Sequence, residues 1–124
     1  MSWIRPPEGQ ITENFSWAEA ACRCCGRTVE LAAVLDTALM MEKIRERLGN
    51  VPIKVLSWCR CPSWNSTVGG ASNSFHIKGM AVDFAVKGLS PRQVQARLKN
   101  HDGGCGAYLG FTHLDRGPKR RWSG

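Results

Sequence analysis

The chain has 124 residues, the length of one domain and too short for two of full size. Its 43% hydrophobic and 22% charged residues are those of an ordinary globular domain, which excludes a chain disordered throughout, and no apolar run reaches the roughly 18 residues a membrane span needs. Lys+Arg 17 against Asp+Glu 10 gives a net charge of +7, which favours anionic surroundings such as nucleic acid, anionic lipid or an acidic wall polymer without choosing among them.

The first residues, MSWIRPPEGQ, lack an apolar core and a small-residue cleavage site, so no secretory signal is expected. Residues 1–11 carry Pro6, Pro7 and Gly9 and predict an extended lead-in. Ser16-Trp17-Ala18-Glu19 matches a capping box and predicts a short helix through Ala21, ending near Cys24–Gly26. Over 29–48, Leu31, Val34, Leu35, Ala38, Met41, Ile44 and Leu48 recur at three- and four-residue steps and predict a helix with one core-facing stripe. Gly49 stands where a left-handed stop belongs.

Pro52–Trp58 predicts a strand, and 59–75, rich in Pro, Ser, Asn and Gly, predicts a long loop of the kind usually kept for function. Met80–Val86 predicts a strand behind Gly79. Ser90-Pro91 opens a second helix with Val94 and Leu98 on its inner face. His101-Asp102-Gly103-Gly104 predicts an exposed turn, and Gly106–Leu109 and Phe111–Asp115 predict short strands before a basic tail from Arg116. The order gives a single α+β domain over 1–124, with a small antiparallel sheet packed against helices.

Six cysteines stand at 22, 24, 25, 59, 61 and 105. An even count invites a disulfide framework, whereas synthesis in a reducing cytosol favours buried thiols. The C-x-C spacing of Cys22/Cys24 and Cys59/Cys61 is tighter than the two to four intervening residues usual for structural zinc.

Histidines and aspartates carry the chemistry. On the predicted strand, Asp83 shares a face with Ala81 and Ala85 while Val82, Phe84 and Val86 face the other way. A carboxylate set among alanines is costly without a partner, and it has room for a cation beside it. His76 ends the long loop seven residues earlier, and His113 and Asp115 project from one face of the later strand. Two imidazoles and a carboxylate, with a fourth position open to water, form a catalytic zinc shell, and Asp115 is the candidate general base. The plain alternative is that Asp83 and Asp115 pair with arginines.

Ser74-Phe75-His76-Ile77-Lys78-Gly79-Met80-Ala81-Val82-Asp83 reads S-x-H-x-x-G-x-A-x-D, followed later by His113-x-Asp115. This pattern resembles the zinc D-alanyl-D-alanine carboxypeptidase and L-alanyl-D-glutamate endopeptidase family, grouped with the vancomycin-resistance dipeptidases and the hedgehog signalling domain. Ser57–Pro62 with Asn65 and Gly69-Gly70-Ala71, the segment from Phe15 to Gly26, and Arg121-Trp122 are similar to further parts of its small phage and bacterial members, so the resemblance covers nearly the whole chain. It implies the hedgehog-like fold, His76, Asp83 and His113 as ligands of Zn2+, Arg60 gripping a carbonyl or carboxylate of the substrate, and Ser74 lining the groove. Trp64, in the loop before His76, is a candidate floor for that groove.

Many relatives carry the general base two or three residues before the last histidine ligand, where this chain has Phe111 and Gly110. Asp115 is therefore the base, or it orients His113 while the base lies elsewhere. The implied activity is hydrolysis of a peptidoglycan peptide bond by a monomer with no specific nucleic-acid partner. Such an enzyme would be made in the cytoplasm and act on the wall as a phage lysin or virion-associated enzyme, or be exported by another route. An inactive zinc-containing binding module on the same scaffold, and a basic nucleic-acid-binding protein with Cys-held zinc, are the competing expectations.

Overall fold

The computed structural model describes residues 3–124. A small hairpin, β1 (Gln10–Thr12) with β2 (Phe15–Ser16), leads into α1 (Trp17–Ala20) and the long α2 (Leu31–Arg47). There follow β3 (Ile53–Ser57), α3 (Pro62–Thr67), a 3-10 turn at Phe75–Lys78, β4 (Ala81–Val86), α4 (Pro91–Arg97), β5 (Gly104–Tyr108), β6 (Phe111–Asp115) and β7 (Arg120–Ser123). The main sheet has five strands in the order β3-β4-β6-β5-β7. Its first four strands pair antiparallel as expected, and β7 adds to β5 in parallel.

Local chemistry sets the element ends. The Ser16–Glu19 capping box forms, and Ser90 builds a second one with Gln93 behind Pro91. Gly49 takes φ +91° after α2. The α2 stripe is narrower than its periodicity predicts: Val34, Ala38, Met41, Ile44 and Leu48 are buried, whereas Leu31 and Leu35 are exposed. Leu31 stands at the first helical residue, and Leu35 is one position round from Val34. The buried stripe packs with Val82, Phe84, Trp58, Leu98 and Leu114 in one core. Burial contributes about 1.5–3 kcal/mol for each large side chain.

Two further expectations are corrected. The 59–75 segment is not all loop, because α3 forms within it, with Pro62 at its first turn and Cys61 accepting from the Trp64 N–H at 3.4 Å. His101 is buried, not an exposed turn residue, and its Nε2 donates to the Asp115 carbonyl at 2.9 Å. The basic tail is tied into the fold. Arg116 donates to Thr37 Oγ1 at 3.0 Å, and β7 carries Arg121, which caps the carbonyls of Gly103, Leu98 and His101.

Candidate metal centre and substrate groove

β4 and β6 run antiparallel with Asp83 directly opposite His113. That register brings two faces predicted separately from alternation into one site. His76 arrives from the 3-10 turn, whose start is capped by Ser74 Oγ accepting the His76 N–H at 3.2 Å. Gly79 then turns the chain at φ +69°, and a Cβ there would stand 2.6 Å from Val29, so only glycine fits. Its carbonyl is fixed by the Thr37 hydroxyl at 2.7 Å and the Trp58 indole N–H at 3.3 Å. The ligand loop is thus pinned to α2 and to the end of β3.

One ligand atom each from His76, Asp83 and His113 lies within 4.8 Å of the others. The His76 Nδ1–H donates to the Trp58 carbonyl at 2.8 Å, which fixes the tautomer and leaves Nε2 as a lone pair. That Nε2 is buried, stands 3.1 Å from Asp83 Oδ1, and has no hydrogen bond. A buried imidazole nitrogen without a partner, aimed at a carboxylate oxygen, fits a divalent cation between them. His113 Nδ1 also stands 2.9 Å from Asp83 Oδ1.

His113 lies between two carboxylates, with Nε2 2.8 Å from Asp115 Oδ2. Burial alone would depress its pKa, but Asp115 and Asp83 more than reverse this and carry it up to about 9. Burial likewise works to raise the Asp83 carboxyl, yet the two histidines hold it well below the usual carboxylate range. Asp115 is fully buried and also sits well below that range. It accepts from His113, Arg120, and the backbone N–H groups of Gly104 and Gly117. A carboxylate with this many donors is a poor proton acceptor and a firm anchor for His113.

The arginine alternative is realised in part, alongside the histidine cluster. Arg60 Nη2 is 3.4 Å from Asp83 Oδ2, and Arg120 Nη2 is 2.8 Å from Asp115 Oδ2. Arg60 is held further by Asn65 Oδ1 at 3.0 Å and Ser57 Oγ at 3.4 Å. Asn65, which the sequence marks only as part of the family resemblance and without a role, is a positioning residue. Its amide also donates to the Ala71 carbonyl at 2.8 Å, and Gly70 packs so closely on Asn65 that no side chain fits there.

An open groove of about 670 Å3 runs over the cluster, lined by Arg60, Ser74, His76, Asp83 and His113 among others. Trp64 is not among its lining residues. It rides half-buried on α3, whose inward position is Asn65, because the segment coils into a helix there. The aromatic residues at the groove are instead Phe75, Tyr108 and Phe111, the last two stacked at 4.7 Å. Trp122 of β7 lies beside His113 at 5.4 Å between centroids and donates to the Tyr108 hydroxyl at 2.7 Å. Phe75 and Trp122 fall within segments that carry the family resemblance, whereas Tyr108 and Phe111 are brought together by the pairing of β5 with β6.

The sequence is similar to those of known peptidases. The chain is 38% identical over 85 residues to the probable peptidoglycan L,D-endopeptidase MepK of Haemophilus influenzae, covering 62% of this chain and 46% of that protein. It is 34% identical over 79 residues to the peptidoglycan L,D-endopeptidase MepK of Escherichia coli K12, covering 57% and 43%. It is 32% identical over 124 residues to the zinc D-Ala-D-Ala carboxypeptidase of Streptomyces albus G, covering 89% and 48%. The chain thus spans about half the length of these curated relatives. The Peptidase M15 family model matches residues 13–115, from the hairpin through His113 and Asp115, and the chain belongs to the Peptidase M15 family.

Proposed function

We propose that the protein is a zinc peptidase that hydrolyses a peptide bond in bacterial peptidoglycan, as a carboxypeptidase or an endopeptidase. The observation that carries this reading is the convergence of His76 Nε2, Asp83 Oδ1 and His113 Nδ1 at the base of an open groove, with His76 Nε2 otherwise unpartnered. The relatives' printed activities, on peptidoglycan and on D-Ala-D-Ala, supply the substrate class.

His76, Asp83 and His113 would hold the ion, and zinc there supplies Lewis acidity toward a peptide carbonyl and toward water. The chain's own groups do the positioning. Arg60, charged and anchored by Asn65, presents its guanidinium beside Asp83, where it can grip a substrate carbonyl or carboxylate oxygen. By accepting the His113 Nε2–H, Asp115 would leave Nδ1, the nitrogen that faces Asp83, to hold the ion. Ser74 lines the groove but spends its Oγ on the His76 N–H, so its first role is to shape the ligand turn.

A second reading has a specific observation behind it. Among the described residues lining the groove the carboxylates are Asp83 and Asp115, and both are engaged. This supports a zinc-containing module that binds wall peptides without cutting them. Digestion of purified walls followed by mass spectrometry of the muropeptides separates the two readings. New peptide ends that disappear in His76→Ala support the peptidase and identify the bond. Zinc-dependent wall binding with unaltered muropeptides overturns it in favour of the binding module. The net charge of +7 supports attraction to anionic wall polymers, and we place the enzyme there as a monomeric phage-type lysin or virion-associated enzyme.

A further inference from the structure

The cysteines form a second cluster, outside the groove. The thiols of Cys22, Cys25 and Cys61 lie within 4.8 Å of one another, and all six cysteines are free. Cys22 and Cys25 are separated by two residues, the spacing that structural zinc sites favour and that the closer Cys22/Cys24 pair obscures. Residues 22–26 make a tight turn. The Gly26 N–H donates to the Cys22 carbonyl at 2.8 Å, the Cys22 N–H donates to the Arg27 carbonyl at 2.8 Å, and Gly26 takes φ +70°. Cys61 reaches the same place from the segment after β3.

Backbone amides surround the sulfurs. The Cys61 N–H donates to Cys22 Sγ at 3.3 Å, and the Trp64 N–H to Cys61 Sγ at 3.4 Å. Cys24 is exposed and lies outside this cluster. Cys59 is excluded: it is buried in the apolar core and is not part of the cluster. A tetrahedral thiolate site with zinc–sulfur bonds of about 2.3 Å puts its sulfurs roughly 3.8 Å apart, so the cluster needs only a small contraction to close on an ion.

We propose that Cys22, Cys25 and Cys61 hold a structural zinc ion separate from the histidine–aspartate centre. The ion clasps the N-terminal turn to the segment that carries Arg60, whose backbone N–H donates to the His76 carbonyl at 3.1 Å. This clamp does not depend on the peptidase reading.

The test is metal analysis and cobalt(II) substitution of the full chain purified under reducing conditions. The wild type is expected to retain a second equivalent of zinc and, with cobalt, to show near-ultraviolet sulfur-to-metal charge transfer. Cys22→Ser and Cys61→Ser are expected to lose that equivalent and that absorption, while His76→Ala keeps both. Absence of the band in the wild type, its persistence in Cys61→Ser, or a Cys22–Cys61 or Cys22–Cys25 disulfide in protein isolated without reductant overturns the assignment. Should the serine variants not fold, titration of folded His76→Ala with a mercurial thiol reagent decides. Zinc released in step with thiol modification supports the site, and modification without zinc release overturns it.

Discussion

Asp115 Oδ2 lies 2.8 Å from His113 Nε2, on the side of the imidazole opposite Asp83. One ring thus joins a fully buried carboxylate to the cluster at the groove, and Asp115 can act on the centre without touching substrate. Asp115→Asn keeps the volume and removes the charge. It is expected to weaken zinc binding by about 10–100-fold, as changes to such outer partners typically do. Activity should recover in part when zinc is added in excess. Competition against a chromophoric chelator measures the affinity. Unchanged affinity with abolished hydrolysis would instead make Asp115 the general base.

Arg60 spans Asn65, Ser57 and Asp83 with its two terminal nitrogens, a geometry that an ammonium cannot copy. Arg60→Lys is therefore expected to lower kcat/KM on wall peptides by roughly 100-fold with zinc still bound, the scale of losing one preorganised donor to a developing negative charge. Steady-state kinetics on a synthetic stem peptide, alongside metal analysis, checks both halves of the expectation.

Short-range signals made much of this site legible. Alternation on 80–86 placed Asp83 opposite the core-facing Val82 and Phe84, and the hydroxyl-to-carboxylate spacing at Ser16–Glu19 fixed α1. The motif from Ser74 to Asp83 marked both the ligand turn and its glycine. What escaped depended on distant partners or unusual caps. Cys61-Pro62 starts α3 with a thiol in place of the usual hydroxyl or carboxylate cap, so the helix was hidden and Trp64 was assigned to the groove. The tail is legible only as basic, and nothing local shows that Arg121 binds carbonyls of the α4–β5 connection. His101 was read from its Asp-Gly-Gly neighbours, although the Asp115 carbonyl that buries it lies 14 residues away.

The buried state of His101 gives a pH dependence. Burial lowers its pKa below the ordinary histidine value, with Arg121 and Arg47 adding to that effect. The unfolded chain then takes up this proton near pH 6.5, and the folded chain only at lower pH. The contribution of neutral His101 is complete above that range and is lost as pH falls through the folded value. Urea midpoints of wild type and His101→Gln, measured from pH 7.5 to 5 at matched metal content, are expected to converge on acidification, with a slope difference of at most about 1.4 kcal/mol per pH unit. Parallel profiles would show that His101 is not held neutral.

Glu42 ties the N-terminal hairpin to α2 by accepting from both the backbone and the side-chain N–H groups of Asn14, each at 2.7 Å. Partial burial works to raise its pKa, and the Asn14 hydrogen bonds more than offset this and leave it lowered. The stabilisation is therefore present above the unfolded carboxyl value and fades as pH drops through the folded one. Glu42→Gln is expected to cost about 1 kcal/mol at neutral pH, at the low end for a partly solvated charged acceptor, and little at a pH below the lowered folded value. Equilibrium unfolding at both pH values reads this out.

Gly104 offers the sharpest test of how Asp115 is seated. A Cβ at this position would lie 2.6 Å from each Asp115 carboxylate oxygen and 2.7 Å from an Arg120 terminal nitrogen. Since Asp115 is fully buried, its carboxylate can yield only by breaking bonds to His113, Gly117 or the Gly104 N–H. Gly104→Ala is expected to destabilise the fold by about 1–3 kcal/mol through overpacking and to weaken zinc binding in the same variant. Gly88→Ala serves as the control. Its φ of +85° carries backbone strain, but nothing lies within 4 Å of the added Cβ, so stability falls while zinc affinity holds. Equal loss of metal affinity in both variants would show that the Gly104 effect is global rather than transmitted through Asp115.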